Sequence, residues 1–154
     1  LHGREVYYVV EERARLRSPL VTDVGVRLPA HLTASGLAIL AHLPRRQLLA
    51  LFPQPDAFVD RTGIGPRRLS ELRVLLAGVT DRGFAVENGS VTPGFASVAA
   101  AVLDHQGYPV AGVACTFEAD PGEDVAHTRE ELAEAVTATA AQLAARLGGR
   151  VNRY

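Results

Sequence analysis

The sequence predicts an α+β domain with a mainly antiparallel sheet and helices packed against it. Three observations carry that expectation. The stretch from Gly94 to Phe117 reads as two apolar strands around the polar turn Asp104-His105-Gln106-Gly107. Apolar residues recur at helical spacing in three separate segments. Turn signals at Asn88-Gly89 and Pro93-Gly94 divide the short strands between them. The 154 residues suit one domain with one core, spanning 1–154.

Val6 to Val10 is a β-branched and aromatic run, hence a strand. Leu20 to Leu28 is a second, with Leu20, Thr22, Val24 and Val26 on one face and Pro29 at its end. Thr33 to Leu43 is helical, with Leu37, Leu40 and Ala41 in phase and Thr33 or Ser35 as cap. Pro44 stops that helix and opens a short one, Arg45 to Phe52. Pro53 to Asp56 is loop. Arg67 to Arg82 is amphipathic, with Leu69, Leu72, Leu76 and Val79 inward and Gly83 as its stop. Phe84 to Glu87 is a short strand, and Asp120 to Asp124 an exposed loop. The last helix opens with Thr128 and Glu131 as a capping box. Its expected stripe is Leu132, Val136, Leu143 and Leu147, ended by Gly148-Gly149.

Side chains alternate across the central hairpin. One face carries Ser97, Ala99 and Ala101 with Gly112, Ala114 and Thr116; the other carries Val98, Ala100 and Val102 with Val113, Cys115 and Phe117. A four-residue loop without a bulge sets Ser97 opposite Ala114 and Ala99 opposite Gly112. The small residues then leave space above the sheet for either a closely packed helix or a ligand. Ser97 and Thr116 put two hydroxyls on the floor of that space.

Composition narrows the functions. No apolar run spans a bilayer, and the N-terminus lacks a signal-peptide core. Cys115 is the sole cysteine, so no internal disulfide forms, and its face marks it as a structural thiol. A cytoplasmic location is the default. The net charge of −1 gives no basic footprint for nucleic acid. All sixteen basic residues are Arg, and the clusters at Arg13, Arg15 and Arg17 and at Arg67 and Arg68 are diluted by Glu11, Glu12 and Glu71. No metal-ligand spacing, phosphate loop or nucleophile elbow stands out, so neither a metal nor a cofactor is expected. Glu87 is the single acid beside the small-residue face and has no placed catalytic partner, which makes it a binding group first.

The run Arg27-Leu28-Pro29-Ala30-His31-Leu32-Thr33-Ala34-Ser35-Gly36, continued by Leu37 to Ala41, resembles the effector-domain signature of the isocitrate lyase regulator (IclR) family of bacterial transcription factors. Arg82 to Val86, Pro93-Gly94, the Ala-rich strand leading to Asp104 and Gly107, and the ending Leu147-Gly148-Gly149 fit that family in order and spacing. The chain departs from the family pattern in four ways. Leu37 replaces a Lys, Ser97 a Cys and Ala101 a Pro, and Ser90 and Val91 stand where an acid is common.

The resemblance implies a GAF/PAS-like fold, a curved antiparallel sheet flanked by helices, with an effector pocket on its concave face. Carried over residue by residue, the pocket comprises Leu20, Ala34, Ser35, Glu87, Ser97, Ala114 and Thr116. The implied function is sensing of a small molecule, a carboxylate or aromatic acid. Binding would modulate DNA contact made through an N-terminal helix-turn-helix domain missing from this chain. The implied partners are that effector and further copies, as a homo-dimer or dimer of dimers, with no membrane. Two other readings of the residues stay open: a small enzyme using Glu87 and His31, and a ligand-free interaction module whose small-residue face packs a helix.

Overall fold

The computed structural model describes residues 1–14, 23–119 and 126–148. Two antiparallel sheets form among them. β1 (Glu5–Tyr7) pairs with β2 (Arg27–Pro29). β3 (Ala85–Asn88), β4 (Phe95–Leu103) and β5 (Pro109–Glu118) form the second sheet in that order. The helices are α1 (Ala34–Ala41), α2 (Arg45–Leu51), α3 (Leu69–Arg82) and α4 (Ala126–Arg146).

β4 is the centre of the domain. One of its faces packs on α4 through Ala96, Val98, Ala100 and Val102. The other packs on α1, where Ala99 joins Leu37, Ala38, Leu40 and the α3 residues Leu72, Leu76 and Val79. A strand covered on both faces reads as a continuous apolar run rather than an alternation, which is why Ala96 to Leu103 carries no polar residue after Ser97. α1 is buried from Ala34 to Leu40, as expected of a helix apolar all round. Thr33 caps it: its Oγ1 accepts from the Gly36 N–H at 3.0 Å. The helix ends short of Pro44, which caps the start of α2. Gly83, at φ 83°, closes α3 in the left-handed region.

Several elements differ from expectation. The first strand stops at Tyr7, and Val9 and Val10 are exposed, because its partner turns away at Val24-Gly25. Asp23 makes that turn by accepting from the Val24 N–H, and Gly25 adopts φ 91°. The expected second strand therefore shrinks to Arg27–Pro29, while its first part, with Leu20, lies outside the described residues. Pro55–Ala57 forms a 3-10 turn where a loop was expected.

The hairpin register is two residues off the expected one. Ser97 faces Thr116, Ala99 faces Ala114 and Ala101 faces Gly112. Asp104 accepts from the Gln106 and Tyr108 N–H groups, which draws Tyr108 into the loop, and a bulge at Val102/Leu103 adds the second residue. A shift of two keeps each side chain on its expected face.

α4 begins at Ala126, so Thr128 lies within the helix and exposed, and the expected capping box does not form. Its buried stripe is Ala133, Val136, Ala140 and Ala144, while Leu143 and Leu147 face outward. Alanines opposite Ala96 and Ala100 let helix and sheet approach closely, which leucines in the same places would prevent.

Candidate functional site

The strand register builds the site row by row. Glu87 pairs with Ser97, and Ser97 with Thr116, so their side chains line up across three strands on the α1 face. Ala85, Ala99 and Ala114 form the next row, and Ala101 and Gly112 the one beyond. α1 sits on that far end: a Cβ at Gly112 would lie 3.3 Å from the Ser35 carbonyl oxygen and 3.6 Å from Ile39 Cδ1. At the Ser97 end the helix no longer covers the sheet. A small concavity with an open mouth remains there. The two uses considered for the small-residue face thus divide along its length.

Six of the seven expected residues line this concavity: Ala34, Ser35, Glu87, Ser97, Ala114 and Thr116. The seventh, Leu20, lies outside the described residues. Tyr8, Leu28, Thr33, Val91, Thr92 and Phe95 complete the lining and were not foreseen. Phe95 was legible, since it shares strand parity with Ser97. Tyr8 was not, because it reaches the site from an element distant in sequence; its hydroxyl lies 3.4 Å from Ser35 Oγ.

The polar groups are interlocked. The Ser97 and Thr116 hydroxyls are 2.9 Å apart. Glu87 Oε1 accepts from the Ser90 N–H at 2.8 Å, Ser90 Oγ at 3.1 Å and the Val91 N–H at 3.2 Å. Burial raises the Glu87 carboxyl above its ordinary range, and the hydrogen bonds from Val91, Ser90 and Ser97 partly offset this. Burial likewise raises the Tyr8 hydroxyl, with the Ser35 hydrogen bond opposing. The start of α1 adds the N–H groups that a helix N-terminus leaves without intrahelical partners; of the first three, the Gly36 N–H is taken by Thr33.

His31 does not join the site. It is buried between the edges of Phe52 and Phe58, at 5.7 and 5.3 Å, and its Nε2 lies 2.9 Å from the Val59 carbonyl. A proton donated there fixes the ring as a structural element, and the acid–base pair suggested for Glu87 and His31 has no shared space. Arg67 and Arg68 are exposed and paired with Asp60 and Glu71.

A GAF/PAS-like sheet layered between helices, with a hydroxyl-lined concavity at the helix start, defines the class as an effector-binding α+β domain. The chain belongs to the bacterial transcriptional regulator IclR C-terminal family, whose model matches residues 1–145. This is a family of transcriptional regulators, not of enzymes. The HTH-type transcriptional regulator XynR of Escherichia coli K12 is 29% identical over 141 residues, 88% of this chain and 54% of that protein. The chain spans about half the length of the curated relatives it matches. The crystal structure of Thermotoga maritima IclR superposes with a TM-score of 0.85 at 28% identity, covering 95% of this chain and 58% of that one. An IclR homologue from Microbacterium hydrocarbonoxydans, crystallised with 4-hydroxybenzoate, matches at TM-score 0.80 over 96% of this chain and 57% of that one. At 20% identity that likeness is one of fold. Among the described residues no helix is long and apolar enough to cross a membrane.

Proposed function

We propose that the concavity between the start of α1 and the Glu87–Ser97–Thr116 row holds the effector, a small carboxylate or aromatic acid. The observation that carries this is the row itself: three polar side chains aligned on a sheet face whose next two rows toward α1 are Ala and Gly, at the point where the covering helix ends. A few placed polar groups in an apolar concavity are what small-molecule recognition requires. The acid group meets the free amides at the start of α1. The related fold crystallised with 4-hydroxybenzoate supports an aromatic acid as one member of the class. The uncovered Ser97 end argues against a ligand-free module, in which α1 would fill the face along its whole length.

In the whole protein the effector favours one of two arrangements of the domain and so changes DNA contact by a separate DNA-binding part. The protein works in the cytoplasm as a homo-dimer or dimer of dimers. Thermal melts of the domain with a panel of small carboxylic and aromatic acids test the assignment, since a ligand bound by the native state alone raises its stability. At least one acid should raise the melting temperature, and Ala114→Leu, which fills the concavity, should abolish the rise. Stabilisation that survives Ala114→Leu would place the effector elsewhere.

A further inference from the structure

Given that the concavity is the effector site, we propose that Glu87, held in place by Ser90, selects effectors carrying a hydroxyl at the end opposite their acid group. The hydroxyl is bound by Glu87, Ser97 and Thr116, and a second carboxylate there is excluded.

Glu87 is buried in the wall of the concavity, and its Oε1 is taken by the Ser90 and Val91 groups of the turn that follows β3. Its other oxygen has no partner in that turn and belongs to the side chain that stands beside Ser97 in the strand row. Among the described residues no Arg, Lys or His lines the concavity, so hydrogen bonds rather than an ion pair hold this carboxylate. A ligand carboxylate brought against it would set two anions together in a site poor in water, where one must take up a proton or leave.

A ligand hydroxyl fits where a carboxylate does not. It can donate to the remaining Glu87 oxygen. The Ser97 and Thr116 hydroxyls carry two protons between them, and their mutual bond uses one. The other holds Ser97 to Glu87, and it can turn to the ligand oxygen as the ligand hydroxyl takes its place on the carboxylate. Ser90 fixes the arrangement from behind: its Oγ lies 2.8 Å from the Leu32 carbonyl as well as 3.1 Å from Glu87 Oε1, tying the β3 turn to the segment that leads into α1. With one proton to give, Ser90 Oγ donates to one of these oxygens at a time; while it donates to Leu32, the Ser90 and Val91 N–H groups keep Glu87 Oε1 in place.

Calorimetric titration with matched probes tests this. One set is 4-hydroxybenzoate, benzoate and terephthalate; the other is 3-hydroxypropionate, propionate and malonate. In at least one set the hydroxy acid should bind about tenfold or more tightly than the unsubstituted acid, as expected for a hydrogen bond to a charged group, and the diacid should not bind. Glu87→Gln keeps an oxygen for the turn and presents an amide N–H to the ligand, so it should lose the hydroxyl preference and admit the diacid. Ser90→Ala should weaken the preference, and Ser90→Thr should restore it. Hydroxyl selection is overturned if the wild type binds diacid and hydroxy acid alike, or if Glu87→Gln leaves the order unchanged. If Ala114→Leu still abolishes binding in those cases, the site assignment stands. If no probe binds, or binding survives Ala114→Leu, the site assignment fails and hydroxyl selection with it.

Discussion

Replacing Gly36 by Ala should destabilise the domain, although the same change raises helix propensity by about 1 kcal/mol. Gly36 lies in the first turn of α1, against the backbone that leads into it. A Cβ built there would sit 2.1 Å from the Ala30 carbonyl oxygen, 2.5 Å from its Cα and 2.6 Å from its carbonyl carbon. Ordinary contact needs about 3.5 Å, so the helix must retreat by more than about 1 Å. No side chain can rotate to relieve the clash, because the obstacle is backbone. α1 carries Leu37, Ile39 and Leu40 into the core, and its retreat would loosen all three. Overpacking of this kind costs about 1–3 kcal/mol and more where nothing can yield. The net loss expected is about 2 kcal/mol or greater, or roughly 4–10 °C in melting temperature for a domain of this size. Gly78 is the control. It also lies in a helix, but its Cβ would meet the tip of Arg82 at 3.3 Å, a flexible group that can swing away. Gly78→Ala should therefore stabilise by about 0.5–1 kcal/mol. Urea melts of both variants check the pair. A Gly36→Ala variant as stable as the wild type would refute the packing argument, because propensity would then have decided both sites.

Thr33→Ala removes the hydroxyl that accepts from the Gly36 N–H and should cost about 0.5–2 kcal/mol by the same melts, with Thr33→Ser retaining most of the stability. Burial lowers the His31 and His42 imidazoles below their ordinary range, so the unfolded chain binds more protons below about pH 6.5 and stability should fall as the pH drops through that point. Glu87 acts in the opposite sense: its raised carboxyl favours the folded state at low pH and loses that contribution as the pH rises above about 4.5. Denaturant midpoints from pH 7.5 to 5.5 in a Glu87→Gln background isolate the imidazoles, and a midpoint that stayed flat or rose on acidification would contradict the sign.

Much of the fold was legible because its signals are local. Thr33 before α1, Pro44 before α2 and Gly83 after α3 each act within one turn of helix, and each stands where the sequence put it. The hairpin faces were legible from parity alone. Its register was not, because it depends on how the Asp104 side chain folds the loop, and that drew in Tyr108. The first half of the α4 stripe was legible, with Val136 buried and Leu132 packed beside it, but its second half was misjudged at Leu143 and Leu147 for a related reason. Leucine was taken as the inward residue, but the depth of the groove is set by the facing strand, and Ala96 and Ala100 call for small partners. At the site, strand parity grouped Ser97, Ala114 and Thr116. Tyr8 and Ser90 could not be found that way, since their places are fixed by contacts with Ser35 and Leu32, residues far away along the chain.

The lining of the concavity runs from Tyr8 to Thr116, and the Ser90–Leu32 bond alone joins positions 58 residues apart. No half of the polypeptide contains the cavity, and no local hairpin or helix can form a piece of it that resembles the whole. Bringing such distant segments together is the slow part of folding, because the entropy of closing the intervening loops must be overcome before their contacts offer any return. The cavity thus exists only once segments from across the chain have met, and a chain cut between Tyr8 and Thr116 would divide its walls between two fragments.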